Sequence, residues 1–75
     1  MINKLTPRET DVARLMSQGL YNKLIAVQLG LSEHTVKFHV KNVCTKYGTT
    51  SRVVAAVAYA VAQVLATSPR ELVST

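Results

Sequence analysis

Five side chains spaced along residues 34–45 could work together on a polar surface: His34, Lys37, Phe38, Lys41 and Thr45. At about 100° per residue they fall on one side of a helix, with Val36, Val40, Val43 and Tyr47 on the other. The two ammonium groups can donate to guanine O6 and N7, and the imidazole and hydroxyl can hydrogen-bond. The phenyl ring can pack on a thymine methyl, and an α-helix has the right width for the major groove of DNA. The plain alternative is a solvated face. It accounts for the lysines but leaves Phe38 unexplained, although single exposed apolar residues are common.

The rest of the chain offers little competing chemistry. His34, His39 and Cys44 are spaced by five, so they do not share a helix face, which argues against a metal site. There is no glycine-rich phosphate loop, clustered carboxylate pair or serine–histidine–aspartate set, so no enzyme and no cofactor are expected. A single cysteine excludes an internal disulfide framework and fits an intracellular compartment. Nine Lys and Arg against four Asp and Glu give a net charge of +5, suited to nucleic acid or an anionic membrane surface. The longest apolar run, residues 53–66, is shorter than the roughly 20 residues of a membrane span and contains Gln63, so it reads as a buried helix. Residues 1–6 lack the apolar core of a signal peptide.

Helix signals then divide the chain into four helices and no strands. Thr6-Pro7-Arg8-Glu9 is a capping box with proline at the first helical position, and the helix it opens runs to about Gln18 before Gly19. Val12, Leu15 and Met16 share its inner face. Asn22 is the expected cap of a short second helix, with Ile25, Ala26 and Leu29 inward and Gly30 as its stop. Ser32 caps the third helix, which reaches about Tyr47 before Gly48, and Ser51 caps the fourth. Ala26, Gly30 and Val36 have the spacing of a helix-turn-helix, which an ordinary helical hairpin would share. Residues 1–66 form the domain, and residues 67–75 a tail expected to fray.

"LTPRE" at residues 5–9, "NKLIAVQLGLSEHTVKFHVKNV" at residues 22–43 and "GTTSRVVAA" at residues 48–56 closely resemble the LuxR-type helix-turn-helix domain of bacterial transcription regulators. The resemblance covers nearly the whole chain except its last few residues. It implies an all-α, four-helix domain that binds double-stranded DNA as a dimer, with the third helix in the major groove and the fourth at the twofold interface. Base contacts are then implied at Lys37, Phe38 and Lys41. Phosphate contacts are implied at Asn22, Lys23, Thr35, His39, Lys46, Ser51 and Arg52; these fix register without reading sequence. His34 and Thr45 are further groove-facing residues. Phe38 stands where a small or branched residue is more usual, Tyr47 where leucine is common, Leu24 where a polar residue is frequent, and Val54 where an acidic one is typical.

The fourth helix independently suggests a partner. Val53, Val57, Ala60, Val61 and Val64 share one face, expected to meet the core. Ala55, Ala58, Tyr59, Ala62 and Ala66 lie opposite, expected to form a dimer interface where small residues allow close approach. The alternative is an alanine-rich helix whose outer face is solvated. Together these readings give a cytoplasmic, homodimeric regulator of bacterial transcription with no membrane partner. Transcription machinery or another regulator is a further expected partner. The rival class is an interaction module that forms mixed dimers with another regulator through this helix.

Overall fold

The structure, a computed structural model, describes residues 4–66, so the expected fraying of residues 67–75 lies outside it. The described residues form four helices: α1 Pro7–Ser17, α2 Asn22–Leu29, α3 Glu33–Lys46 and α4 Arg52–Ala66. The α1 capping box forms reciprocally. Thr6 Oγ1 accepts the Glu9 N–H at 3.2 Å, and Glu9 Oε1 accepts the Thr6 N–H at 2.9 Å. Ser32 caps α3 by accepting the Thr35 N–H at 3.1 Å, and Ser51 caps α4 by accepting the Val54 N–H at 3.2 Å.

The start of α2 differs from expectation. Tyr21 is its N-cap and makes no side-chain cap bond, while Asn22 is the first helical residue. The Asn22 oxygen is instead taken by the guanidinium of Arg52, thirty residues away. A charge-assisted bond is stronger than the neutral one a cap would supply.

Gly30 makes the turn between α2 and α3. Its φ of 66° is left-handed, which glycine adopts without a Cβ penalty, and the Leu31 N–H reaches back to the Ala26 carbonyl at 3.0 Å. The same return bond closes α1, from Leu20 to Leu15, and α3, from Thr49 to Cys44.

The core is assembled from all four helices: Val12, Ala13, Leu15 and Met16 of α1, Ile25 and Ala26 of α2, Val36, Val40, Val43 and Cys44 of α3, and Ala55 and Tyr59 of α4. Fully burying a side chain such as Leu15 or Ile25 contributes about 1.5–3 kcal/mol. Helix α1 packs against both α3 and α4, and α2 packs mainly on α3. The inward faces read for α1, α2 and α3 are thus the ones that meet, with Leu29 and Tyr47 partly buried at the edge.

The faces of α4 are inverted. Val53, Val57, Val61 and Val64, expected in the core, are 49–70% exposed, and Ala60 is exposed as well. Ala55 (0%) and Tyr59 (8%) occupy the core instead, so neither is available as the dimer-interface residue expected of it. Ala58 is half-buried on the same domain, while Ala62 and Ala66 are exposed. The physical reason is that α4 is apolar on every side, which leaves its helical wheel no polarity contrast to orient it. The faces then differ in side-chain size, and the side that packs inward is the one with Ala55 and Tyr59. Burial pushes the phenol of Tyr47 above its ordinary pKa, and the neighbouring Tyr59 adds to the rise.

A part-buried ion pair ties the end of α3 to the first turn of α1. Lys46 at the end of α3 donates from Nζ to Glu9 Oε1 at 2.7 Å and to the Lys4 carbonyl at 3.1 Å. Burial by itself would push the Glu9 carboxyl up. The Lys46 ammonium and the Thr6 N–H outweigh it and hold the group below its usual value.

Candidate nucleic-acid interface

The outer face of α3 is built as the wheel implied. His34, Lys37, Phe38, Lys41 and Thr45 are all exposed, Phe38 to 60%. The ion pairs among the described residues use Arg8, Arg14 and Lys46, and none holds Lys37, Lys41 or Lys23. Thr45 differs from a free hydroxyl. Its Oγ1 donates to the Lys41 carbonyl at 3.0 Å, so what it offers outward is an acceptor oxygen and a methyl group.

Phe38 is not wholly unsupported. Its ring meets His39 edge-on, with centroids 5.9 Å apart and planes at 61°. The Nδ1 of His39 is buried without a hydrogen-bond partner.

Beside this face lies a cleft of about 510 Å³ where α3 meets the beginnings of α2 and α4. It is lined by Val40, Cys44 and the outer residues Lys37, Lys41 and Thr45 of α3, by Asn22 and Arg52 at the starts of α2 and α4, and by Thr49 and Thr50 of the intervening loop. Thr49 and Thr50 were missed by the sequence reading. Their only signal was their place in the polar loop between Gly48 and Ser51, where Thr49 Oγ1 accepts the Ser51 N–H at 3.0 Å.

Of the seven residues expected at phosphates, Asn22 gives its oxygen to Arg52 and the other six divide into two groups. Lys23 is exposed and unpaired among the described residues. Thr35 Oγ1 accepts from the Ser32 hydroxyl at 3.0 Å, and Ser51 Oγ accepts a backbone N–H, so both keep a hydroxyl proton to donate. His39 keeps Nε2. By contrast Lys46 and Arg52 spend their hydrogen bonds inside the domain, Lys46 on Glu9 and Lys4, and Arg52 on Asn22 and Leu20. Lys46 also lies outside the cleft lining that gathers Asn22, Lys37, Lys41 and Arg52. The family resemblance implied phosphate contacts at both; their partners inside the fold could not be seen from spacing alone.

A surface with unpaired cations, a planar apolar ring and the Thr35 hydroxyl along one helix suits a duplex groove and its phosphates. Comparison with known proteins agrees. The sequence matches the family described as bacterial regulatory proteins, luxR family, over residues 3–59. It is 54% identical over 56 residues to the nitrate/nitrite response regulator protein NarL of Escherichia coli, covering 75% of this chain and 26% of that protein. A nitrate/nitrite response regulator protein homolog of Haemophilus influenzae is 47% identical over 58 residues, 77% of this chain and 28% of that one. The two-component response regulator PprB of Pseudomonas aeruginosa is 51% identical over 43 residues, 57% of this chain and 16% of that one. The chain therefore spans about a quarter of the length of the first two relatives and less of the third. With its four helices, glycine turn and matched residues, the chain belongs to the luxR family of bacterial regulatory proteins and carries its helix-turn-helix domain.

Proposed function

We propose that this domain binds double-stranded DNA sequence-specifically as a homodimer, with α3 in the major groove, and so regulates transcription in the bacterial cytoplasm. The observation that carries the reading is the pair of unpaired ammonium groups, Lys37 and Lys41, flanking exposed Phe38 on one face of α3. Lys37 and Lys41 donate to base edges, and Phe38 packs on a thymine methyl. His34 and Thr45 border the groove. Lys23, Asn22, Thr35, His39 and Ser51 hold phosphates and fix the register.

The outer face of α4 supports the dimer, through residues other than those first expected. Val53, Val54, Val57, Val61, Val64 and Leu65 are the large exposed apolar residues of that helix, and no charged residue lies between positions 53 and 66. They pair symmetrically about Tyr59: Val57 with Val61, Val54 with Val64, and Val53 with Leu65. On a wheel all six fall within about 60° of the direction opposite Tyr59. Two such helices crossing antiparallel on a twofold axis bring each residue against its counterpart, which is the self-complementarity an isologous interface requires.

The same apolar face favours one second reading, a module that forms mixed dimers with another regulator. Selection of bound sites from a random duplex library separates the two. A twofold-symmetric motif is expected, with one thymine-containing step per half lost in Phe38→Ala. Recovery of no preferred sequence, with binding that vanishes as salt rises, would leave only charge attraction and favour the mixed-dimer module.

A further inference from the structure

We propose that Arg52 is a positioning residue rather than a phosphate ligand, and that it turns the Asn22 amide so that its Nδ2 donates to the DNA backbone. The inference rests on the DNA-binding reading above. Arg52 is the first residue of α4, cationic and beside the cleft, which are the features of a phosphate contact. Yet Nη1 donates to Asn22 Oδ1, and Nη2 donates to the Leu20 carbonyl at 2.8 Å. The guanidinium fork thus spans the segment that precedes α2 and ties it to the start of α4. A fork of this kind needs two acceptors at fixed spacing, which an ammonium cannot satisfy in the same geometry.

The consequence falls on Asn22. A guanidinium has only donors, so the atom facing it must be the amide oxygen, and that settles which way the amide points. The two Nδ2 protons are left without a partner among the described residues. Asn22 lines the same cleft as Lys37 and Lys41, the cations of the proposed DNA-reading face. It is also free for this role because it is not the cap of α2. Arg52 thereby sets the polarity of a donor that carries no charge.

The test is a double-mutant cycle on duplex affinity, measured at a temperature where circular dichroism shows each variant folded. Asn22→Ala is expected to weaken binding about tenfold, as for loss of one hydrogen bond to a charged acceptor. Arg52→Lys, which keeps the charge but loses the fork, is expected to weaken it by a similar factor, and to add almost nothing in the Asn22→Ala background. Asn22→Asp offers Arg52 an acceptor but has no donor protons, so its melting temperature should hold while its binding falls at least as far as that of Asn22→Ala. Arg52→Lys binding like the unsubstituted domain, additive losses in the cycle, or undiminished binding by Asn22→Asp would each overturn the positioning role. If the unsubstituted domain itself shows no preference among duplexes, the DNA-binding reading fails and this one with it.

Discussion

Helices α3 and α4 are nearly equal in length, at 14 and 15 residues, and both present a full outer face to solvent, but the two faces have opposite chemistry. That of α3 carries Lys37 and Lys41 around a single ring. That of α4 carries six large aliphatic residues and no charge. The first is suited to a polyanion, whose counterions it displaces; the second is suited to another apolar surface, which water leaves. A small basic domain can hold both because its core is closed from the opposite sides of these helices, by Val36, Val40 and Val43 on one and Ala55 and Tyr59 on the other.

The sharpest way to break this contrast is to exchange the supposed inside and outside of α4. Tyr59→Ala should cost about 3–5 kcal/mol of stability, as for other large core side chains, and Val57→Ala less than about 1 kcal/mol in the monomer. Urea unfolding at low protein concentration checks both. The reverse ranking would return the valines to the core and remove the apolar face from the surface.

A second contrast lies between cations turned inward and outward. Lys46→Met leaves Glu9, 6% exposed, without its ammonium, and should cost about 3 kcal/mol. Adding Glu9→Gln should recover much of that loss. The same pair sets a pH dependence. Because the folded carboxyl of Glu9 sits below the ordinary value of 4.5, its contribution is complete above that pH and is lost as pH falls through the folded value. Denaturant titrations across this range should show the loss, and Glu9→Gln should abolish it.

The smallest of these effects concerns DNA. Lys41→Ala should lose about 1–3 kcal/mol of discrimination at one base position. Lys23→Ala should weaken all duplexes alike and lower the slope of log affinity against log salt by about 0.9. Equal behaviour of the two variants in a competition assay would erase the distinction between reading and holding.

How far each part was legible follows from the same contrast. The boundaries of α1 and α3 were readable because Thr6, Glu9, Gly19, Ser32 and Gly48 satisfy backbone groups locally, within a few residues of where they stand. The outer face of α3 was readable because its lysines and valines separate on the wheel. The α4 faces were not, since Val57 and Ala55 differ in size but not in polarity, and the side that packs inward is set by the helices it meets. The internal bonds of Arg52 and Lys46 were hidden for another reason. Their partners are 30 and 37 residues distant, and charge shows in a sequence where a part-buried bond across the fold does not.

One amide-resolved NMR series would test the central contrast directly, recording the domain against added duplex at fixed protein concentration and then against protein concentration without DNA. The outer residues of α3, Lys37, Phe38, Lys41 and Thr45, should carry the largest shifts in the first series and stay still in the second. Val57, Val61 and Val64 should shift with protein concentration as the twofold pair forms. Shifts induced by DNA that centre on the α4 valines, or α3 residues that move only with protein concentration, would contradict the division of labour between the two helices.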